Sequence, residues 1–411
     1  MELTAERSWP QESSLLVELD SPEMLKDQAA GSLLVVHPGA ELYGSDRVML
    51  ESVSALIQRG WSVTVTLPNT GPLFDAVKQA GARVLTCPTP VVRKSVLQPK
   101  GLASFLGTLC RSVLPSLRVL RSTRADVVYV STVTIPLWIL LSRICRVPVL
   151  CHVHEAENSA RTLQKRALNT PLLLCSSVVA NSEFSLNLVC ESFPKLASRS
   201  QVILNPISGP SAIEPARETL TDPIRLLYLG RLSPRKGPQF ILSAMAQLRD
   251  LGMVTQLHLV GSAFTGYEWF EEELRVQVND LHLDGNVEFL GFQRDVWGEI
   301  ALCDVVVVPS LEAEPFGNVA VEAVLGARAV VASESGGLIE AVRGFQSAQS
   351  VQPGNSTSIA AAIKKIAEDW NTYREEAESD ALLAKQRHDS ELYGDRIFLA
   401  VQTASRARGR Q

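Results

Sequence analysis

The stretch Pro309-Ser310-Leu311-Glu312-Ala313-Glu314-Pro315-Phe316-Gly317-Asn318-Val319-Ala320-Val321-Glu322-Ala323 decides how this chain is read. An apolar run over 304–308 leads into it and an amphipathic run leads out. That order predicts a buried strand, a tight polar loop and a helix starting near Asn318. Glu314 and Glu322 bracket the helix start. Between them lie backbone N–H groups and the positive end of the helix dipole. The loop therefore suits a ligand that carries both hydroxyls and phosphates, as a nucleotide sugar does.

Working outward, the same strand–loop–helix unit repeats. Residues 224–229 read as a strand, Gly230-Arg231-Leu232-Ser233-Pro234-Arg235-Lys236-Gly237 as a loop, and the residues to about 251 as a helix. Strands follow at 256–260, 287–290, 305–308 and 329–331, with helices near 267–280, 294–302, 318–326 and 356–369, and more helix to the end. In the front half, strands are predicted at 32–36, 61–67, 82–85, 126–130, 148–153, 177–180 and 202–204. Helical spacing runs through Val48, Leu50, Val53, Leu56 and Ile57, and Gly60 stops that helix. Alternation of this kind predicts an α/β protein with parallel sheets and right-handed crossovers.

A chain of 411 residues is long for one core. The stretch 205–221 contains Pro206, Gly209, Pro210 and Pro215 and little apolar content, and it marks a linker. The expected division is a poorly ordered acidic tail at 1–30, an N-terminal domain at 31–208, a linker at 209–222, a C-terminal domain at 223–385 and a C-terminal helix at 386–411 packing back toward the N-terminal domain.

Composition is that of an ordinary globular protein, 46% hydrophobic and 20% charged. No apolar run is long enough to span a bilayer. The start lacks a signal-peptide pattern, and the seven cysteines form no CxxC pair, so the expected setting is cytoplasmic with reduced thiols. Net charge is −5 overall, but residues 28–210 hold 18 Lys and Arg against 9 Asp and Glu. The basic front half points to an anionic partner: nucleic acid, an anionic membrane face or a phosphorylated substrate. The helix predicted near 102–121 either packs as an ordinary amphipathic helix or lies against anionic lipid.

Arg231 and Lys236, at a strand end between Gly230 and Gly237, offer a planar fork and a point charge suited to a diphosphate. In a parallel sheet this loop and the Glu314–Glu322 loop open into one crevice. Cations for phosphate and carboxylates for hydroxyls then converge. Ser335-Gly336-Gly337 is expected to add backbone N–H groups.

Gly-Arg-Leu…Lys-Gly followed by Glu-Pro-Phe-Gly and a second Glu after seven residues resembles the GT-B retaining glycosyltransferases of family 4. The similarity covers nearly all of residues 32–400. It implies two Rossmann-like domains facing across a cleft, a nucleotide-diphosphate sugar on the C-terminal domain and a glycan, lipid-linked or small-molecule acceptor on the N-terminal one. It also implies transfer with retention and no metal or other cofactor, in polysaccharide or glycoconjugate synthesis, with many relatives being peripheral membrane enzymes that use lipid-linked acceptors. The expected partners include a possible anionic membrane surface on the inner face of the cytoplasmic membrane and no nucleic acid. By the same resemblance, Arg231 and Lys236 stabilise the diphosphate and Glu322 binds the ribose. Glu314, Phe316, Gly317 and Asn318 belong to the loop holding the donor sugar. Phe292 lies where the base is met by backbone, Gly44 approaches the donor phosphate, and His154 contacts the sugar. The first loop departs from the usual pattern: Tyr43-Gly44-Ser45-Asp46-Arg47 has one glycine fewer.

His152 and His154 are read as pointing to opposite faces of their strand, one of them structural. His37 is either structural or part of the site, and Glu312 is read as solvated. Two rival functions share the fold: a sugar-nucleotide epimerase and a non-catalytic sugar-nucleotide-binding protein. A nicotinamide dehydrogenase is disfavoured, because no GxGxxG opens the first unit.

Overall fold

The computed structural model describes residues 31–42, 44–93, 96, 98–156, 161–263 and 266–407. The tail expected at 1–30 lies outside them.

Seven parallel strands form the first sheet: β1 (Ser32–Val36), β2 (Ser62–Leu67), β3 (Arg83–Thr86), β4 (Val127–Val130), β5 (Val149–Val153), β6 (Ser177–Ala180) and β7 (Ser200–Val202). Their order is β3-β2-β1-β4-β5-β6-β7. The crossovers are α1 (Gly44–Gln58), α2 (Pro72–Gln79), α3 (Pro99–Thr123), α4 (Pro136–Ile144), α5 (Thr162–Asn169) and α6 (Glu183–Ser192). The second sheet is also parallel, in the order β10-β9-β8-β11-β12-β13. It is built from β8 (Ile224–Leu229), β9 (Thr255–Val260), β10 (Val287–Gly291), β11 (Val305–Val308), β12 (Ala329–Ser333) and β13 (Ala348–Val351). Its helices are α7 (Pro238–Asp250), α8 (Glu268–Asp280), α9 (Trp297–Leu302), α10 (Asn318–Leu325), α11 (Leu338–Ala341), α12 (Ser356–Glu368) and α13 (Trp370–Arg387), and α14 (Ser390–Arg406) ends the description.

The central strands are apolar without alternation, as a sheet covered on both faces requires. β11 reads Val-Val-Val-Val and is buried throughout. Strand order reverses between β1 and β4 in one sheet and between β8 and β11 in the other, the places where open α/β sheets bind ligands.

The chain does not stay within its half. After α13, α14 returns to the first sheet and buries Tyr393, Ile397, Phe398 and Val401 in that core. Tyr393 Oη lies 2.6 Å from Ser52 Oγ on α1, and Asp395 accepts from Arg59 at 2.7 Å. The linker is pinned to the second sheet instead. Arg217 pairs with the buried Asp304 at 2.6 Å, and the buried Arg328 donates to the carbonyls of Glu214 and Cys303.

Three readings change. The last strand of the first sheet is Ser200–Val202, two residues earlier than expected. The strand at 348–351 was not anticipated; its burial is partial, as befits a sheet edge. His152 and His154 do not face opposite ways: their ring centroids are 4.0 Å apart. Residues two apart along a strand share a face, so the spacing itself predicted this pairing.

Candidate active site

β8 and β11 are adjacent, so the loops at their carboxyl ends emerge side by side. Gly237 sits at φ 75° with its α-carbon against the Pro309 carbonyl; a Cβ there would stand 2.1 Å from that oxygen. Glycine is required at this contact twice over, by backbone conformation and by space. It brings Lys236 to the second loop, where Lys236 Nζ lies 2.6 Å from Glu314 Oε1. Ser310 Oγ donates to the same carboxylate oxygen.

Glu314 is a buried carboxylate. Burial pushes its pKa up, but the Lys236 ammonium, the hydrogen bonds from Lys236 and Ser310 and the Arg235 charge outweigh that, so it is held below the ordinary carboxylate range. The Glu314 carbonyl accepts from Gly337 N at 2.7 Å. The N–H groups expected from Ser335-Gly336-Gly337 are thus partly consumed, since Ser335 N donates to Ser333 O as well. Arg231 is exposed at the first loop, and the buried Tyr228 hydroxyl donates to its carbonyl at 2.8 Å.

Gly317, at φ 130°, caps α10. A Cβ on it would come within 2.6 Å of Leu338. Phe316 is 3% exposed and packs in the apolar core with its ring 5.6 Å from His388, so only its backbone borders the cleft. Phe316 thus belongs to the expected loop through its backbone, while its ring anchors that loop to the core. Asn318 opens α10 and accepts from Asn205 Nδ2 at 2.8 Å. Glu322 lies one turn on. Burial raises its pKa and the Arg47 charge opposes the rise. Phe292 follows β10 and is 61% exposed.

The N-terminal domain supplies the facing wall. Gly44 begins α1 beside Asn318; a Cβ on it would stand 3.4 Å from Asn318 Nδ2. Arg47 reaches across to the Arg294 carbonyl at 3.1 Å. His37 is structural in its bonding: Nε2 is 2.8 Å from Asp46 Oδ1 and Nδ1 is 2.6 Å from Ser131 Oγ. His154 follows β5, and its Nε2 is buried without a hydrogen-bond partner. Burial, with a smaller contribution from His37, lowers its pKa to about 3, so the ring is neutral at pH 7. A second contact joins the domains at α6. Ser182 and Ser185 both donate to the Pro315 carbonyl, and the Glu340 carboxylate accepts from Glu183 N at 2.7 Å and Phe184 N at 2.5 Å.

Sequence reasoning missed Ser310, Tyr228, Arg47, Ser182 and Ser185. Arg47 carried a signal, a cation in the first turn of the helix after β1. The others act through backbone carbonyls or one carboxylate oxygen, which leaves no mark in residue spacing.

Two parallel α/β sheets whose switch-point loops converge on one cleft make the GT-B architecture. The glycosyl transferases group 1 model matches residues 211–381, and the glycosyl transferase 4-like domain model matches residues 43–183. The chain belongs to this family, the GT4-type glycosyltransferases. The glycogen synthase of Mycobacterium tuberculosis is 30% identical over 262 residues, 61% of this chain and 62% of that protein. The D-inositol 3-phosphate glycosyltransferase of Corynebacterium jeikeium is 35% identical over 163 residues, 38% of each chain. The chain thus matches under two thirds of the length of these curated relatives. Among solved structures, Anabaena HepE in complex with UDP-glucose superposes with a TM-score of 0.76 at 24% identity, covering 91% of this chain and all of that one. A glycosyltransferase from Rickettsia africae gives 0.75 at 16% identity, covering 92% and 99%.

Proposed function

We propose that this glycosyltransferase moves a sugar from a nucleotide-diphosphate donor to a glycan, lipid-linked or small-molecule acceptor, with retention of anomeric configuration and without a metal, in polysaccharide or glycoconjugate synthesis. The observation that carries the reading is the Lys236–Glu314 pair beside Arg231. When the bond between the anomeric carbon and the diphosphate oxygen breaks, the electron pair leaves with the diphosphate. Arg231 and Lys236 stabilise that developing charge. Glu314, held ionised, accepts sugar hydroxyl hydrogens, Glu322 accepts those of the ribose, and neutral His154 contacts the sugar from the other wall. The donor class is supported by the UDP-glucose bound in the HepE structure.

The proposed setting is the cytoplasmic face of an anionic membrane. No helix among the described residues is long and apolar enough to cross a bilayer. α3 exposes Leu102, Leu106 and Leu114, and Arg111, Arg118 and Arg121 are exposed along the same helix, a pairing suited to peripheral lipid contact.

A calorimetric screen of UDP, GDP and ADP sugars, each with EDTA, tests the reading. One donor should bind in EDTA and lose binding with Arg231→Ala. No binding by any donor, or binding only with added metal, would refute it.

A further inference from the structure

A cavity of about 390 Å³ lies at the far end of the first sheet from the cleft. It opens where α4 ends and β6 begins, and Arg143, Arg199 and Ser176 line it together with Leu173 and Leu174. β6 runs from there to Ser182 at the cleft, about 13 Å over four residues. The cavity is therefore separate from the Arg231–Lys236 loop, which belongs to the other sheet.

Its polar side chains are donors. Arg199 is fixed by one hydrogen bond, from Nη2 to the Leu173 carbonyl at 2.8 Å. Its Nε is buried and has no partner. Ser176 Oγ is also buried without a partner, while its backbone N–H is occupied by the Val149 carbonyl. Arg143, exposed at the last turn of α4, supplies a second guanidinium, and no carboxylate of the described residues lines the space. Two arginine guanidinium groups on one wall, with the Ser176 side chain beside them, suit the oxygens of a tetrahedral oxyanion. The Leu173–Leu174 wall offers apolar surface beyond what a bare anion needs.

We propose that this cavity binds a phosphate monoester through Arg143, Arg199 and Ser176. The phosphate comes either from a soluble metabolite or from a lipid headgroup. Exposed Ile144, next to Arg143 on α4, gives the second source a place to rest its chain.

The test is thermal unfolding of the full chain with rising inorganic phosphate, ionic strength held constant with chloride, alongside sedimentation with phosphatidic acid vesicles and with phosphatidylcholine vesicles. Phosphate should raise the midpoint by mass action. Arg143→Gln and Arg199→Gln should each weaken the apparent affinity about tenfold or more, whereas Arg231→Ala should keep it. Sedimentation with phosphatidic acid that drops in both Gln variants, with no effect of free phosphate, would assign the site to a lipid headgroup, and sedimentation unchanged in both would overturn it. A midpoint rise that survives in both Gln variants overturns the proposal, as does the absence of both phosphate and vesicle binding. Arg143 is exposed, so its Gln variant leaves the core untouched, and a misfolded Arg199→Gln protein would leave the test intact.

Discussion

Lys236 Nζ and Glu314 Oε1 stand 2.6 Å apart, one on the loop after β8 and the other on the loop after β11. Their side chains are 18% and 11% exposed. Removing one partner strands the other in a largely dry site. Lys236→Ala should destabilise the fold by about 3 kcal/mol. Glu314→Gln keeps the shape and a hydrogen bond, and should cost less. Urea unfolding of the two variants checks the order.

In the proposed mechanism Lys236 and Arg231 also stabilise the leaving diphosphate. Each alanine variant should lower kcat by about 10² to 10³. Arg231 is exposed, so its loss should leave stability nearly unchanged, and comparing kcat with unfolding midpoint separates the two roles.

The two glutamates respond oppositely to pH. The lowered pKa of Glu314 gives stability that is present above the ordinary carboxylate value of about 4 and lost as pH falls through its folded pKa. The raised pKa of Glu322 means ionisation costs stability as pH rises through its folded pKa, a cost that Glu322→Gln should remove. His154 is depressed to about 3, so its contribution is full above the unfolded value of about 6.5 and lost as pH falls from there toward 3. NMR titration should find no His154 ring transition between pH 5 and 8; a midpoint near 6.5 would overturn the buried, neutral assignment.

Ser182 and Ser185 hold the carbonyl of the residue after Glu314 from the opposite domain. The Ser182→Ala, Ser185→Ala double variant should fold and bind donor, yet lose about tenfold in kcat, since small displacements of a reacting geometry are expensive. Unchanged kcat would show that Glu314 is set by its own domain alone.

Tyr393 is the test of α14. Its hydroxyl lies 2.6 Å from Ser52 Oγ inside the first core. Tyr393→Phe should cost about 1 kcal/mol by removing one bond from a buried network in which Ser52 Oγ keeps the Val48 carbonyl and Tyr129 as partners. Equilibrium unfolding measures it.

Much of this was legible in the sequence because buried parallel strands are short apolar runs with turn residues at their ends. Val305–Val308, Ser177–Ala180 and the start of α10 at Asn318 were readable for that reason. β13 was not, because Ala348–Val351 carries Gln349 and Ser350 at a sheet edge and lacks the apolar signature. Within the site, Glu314 stood out as a carboxylate just before a helix start and Lys236 as a cation in a glycine-bounded loop at a strand end. The core position of the Phe316 ring was not legible, because an aromatic in a loop can fill the core beneath it. Ser310 and Ser182 were silent, since one hydroxyl reaching one oxygen depends on tertiary placement and leaves no periodic trace.

The central claim is that the pair of loops holding Arg231, Lys236 and Glu314 transfers sugar with retention from a nucleotide diphosphate. The most direct measurement is proton NMR of the first-formed product, with the donor selected by calorimetry and EDTA present. The account predicts an anomeric coupling that matches the donor's configuration and product formation that disappears in Lys236→Ala. A product of inverted configuration, or undiminished formation in Lys236→Ala, would contradict it.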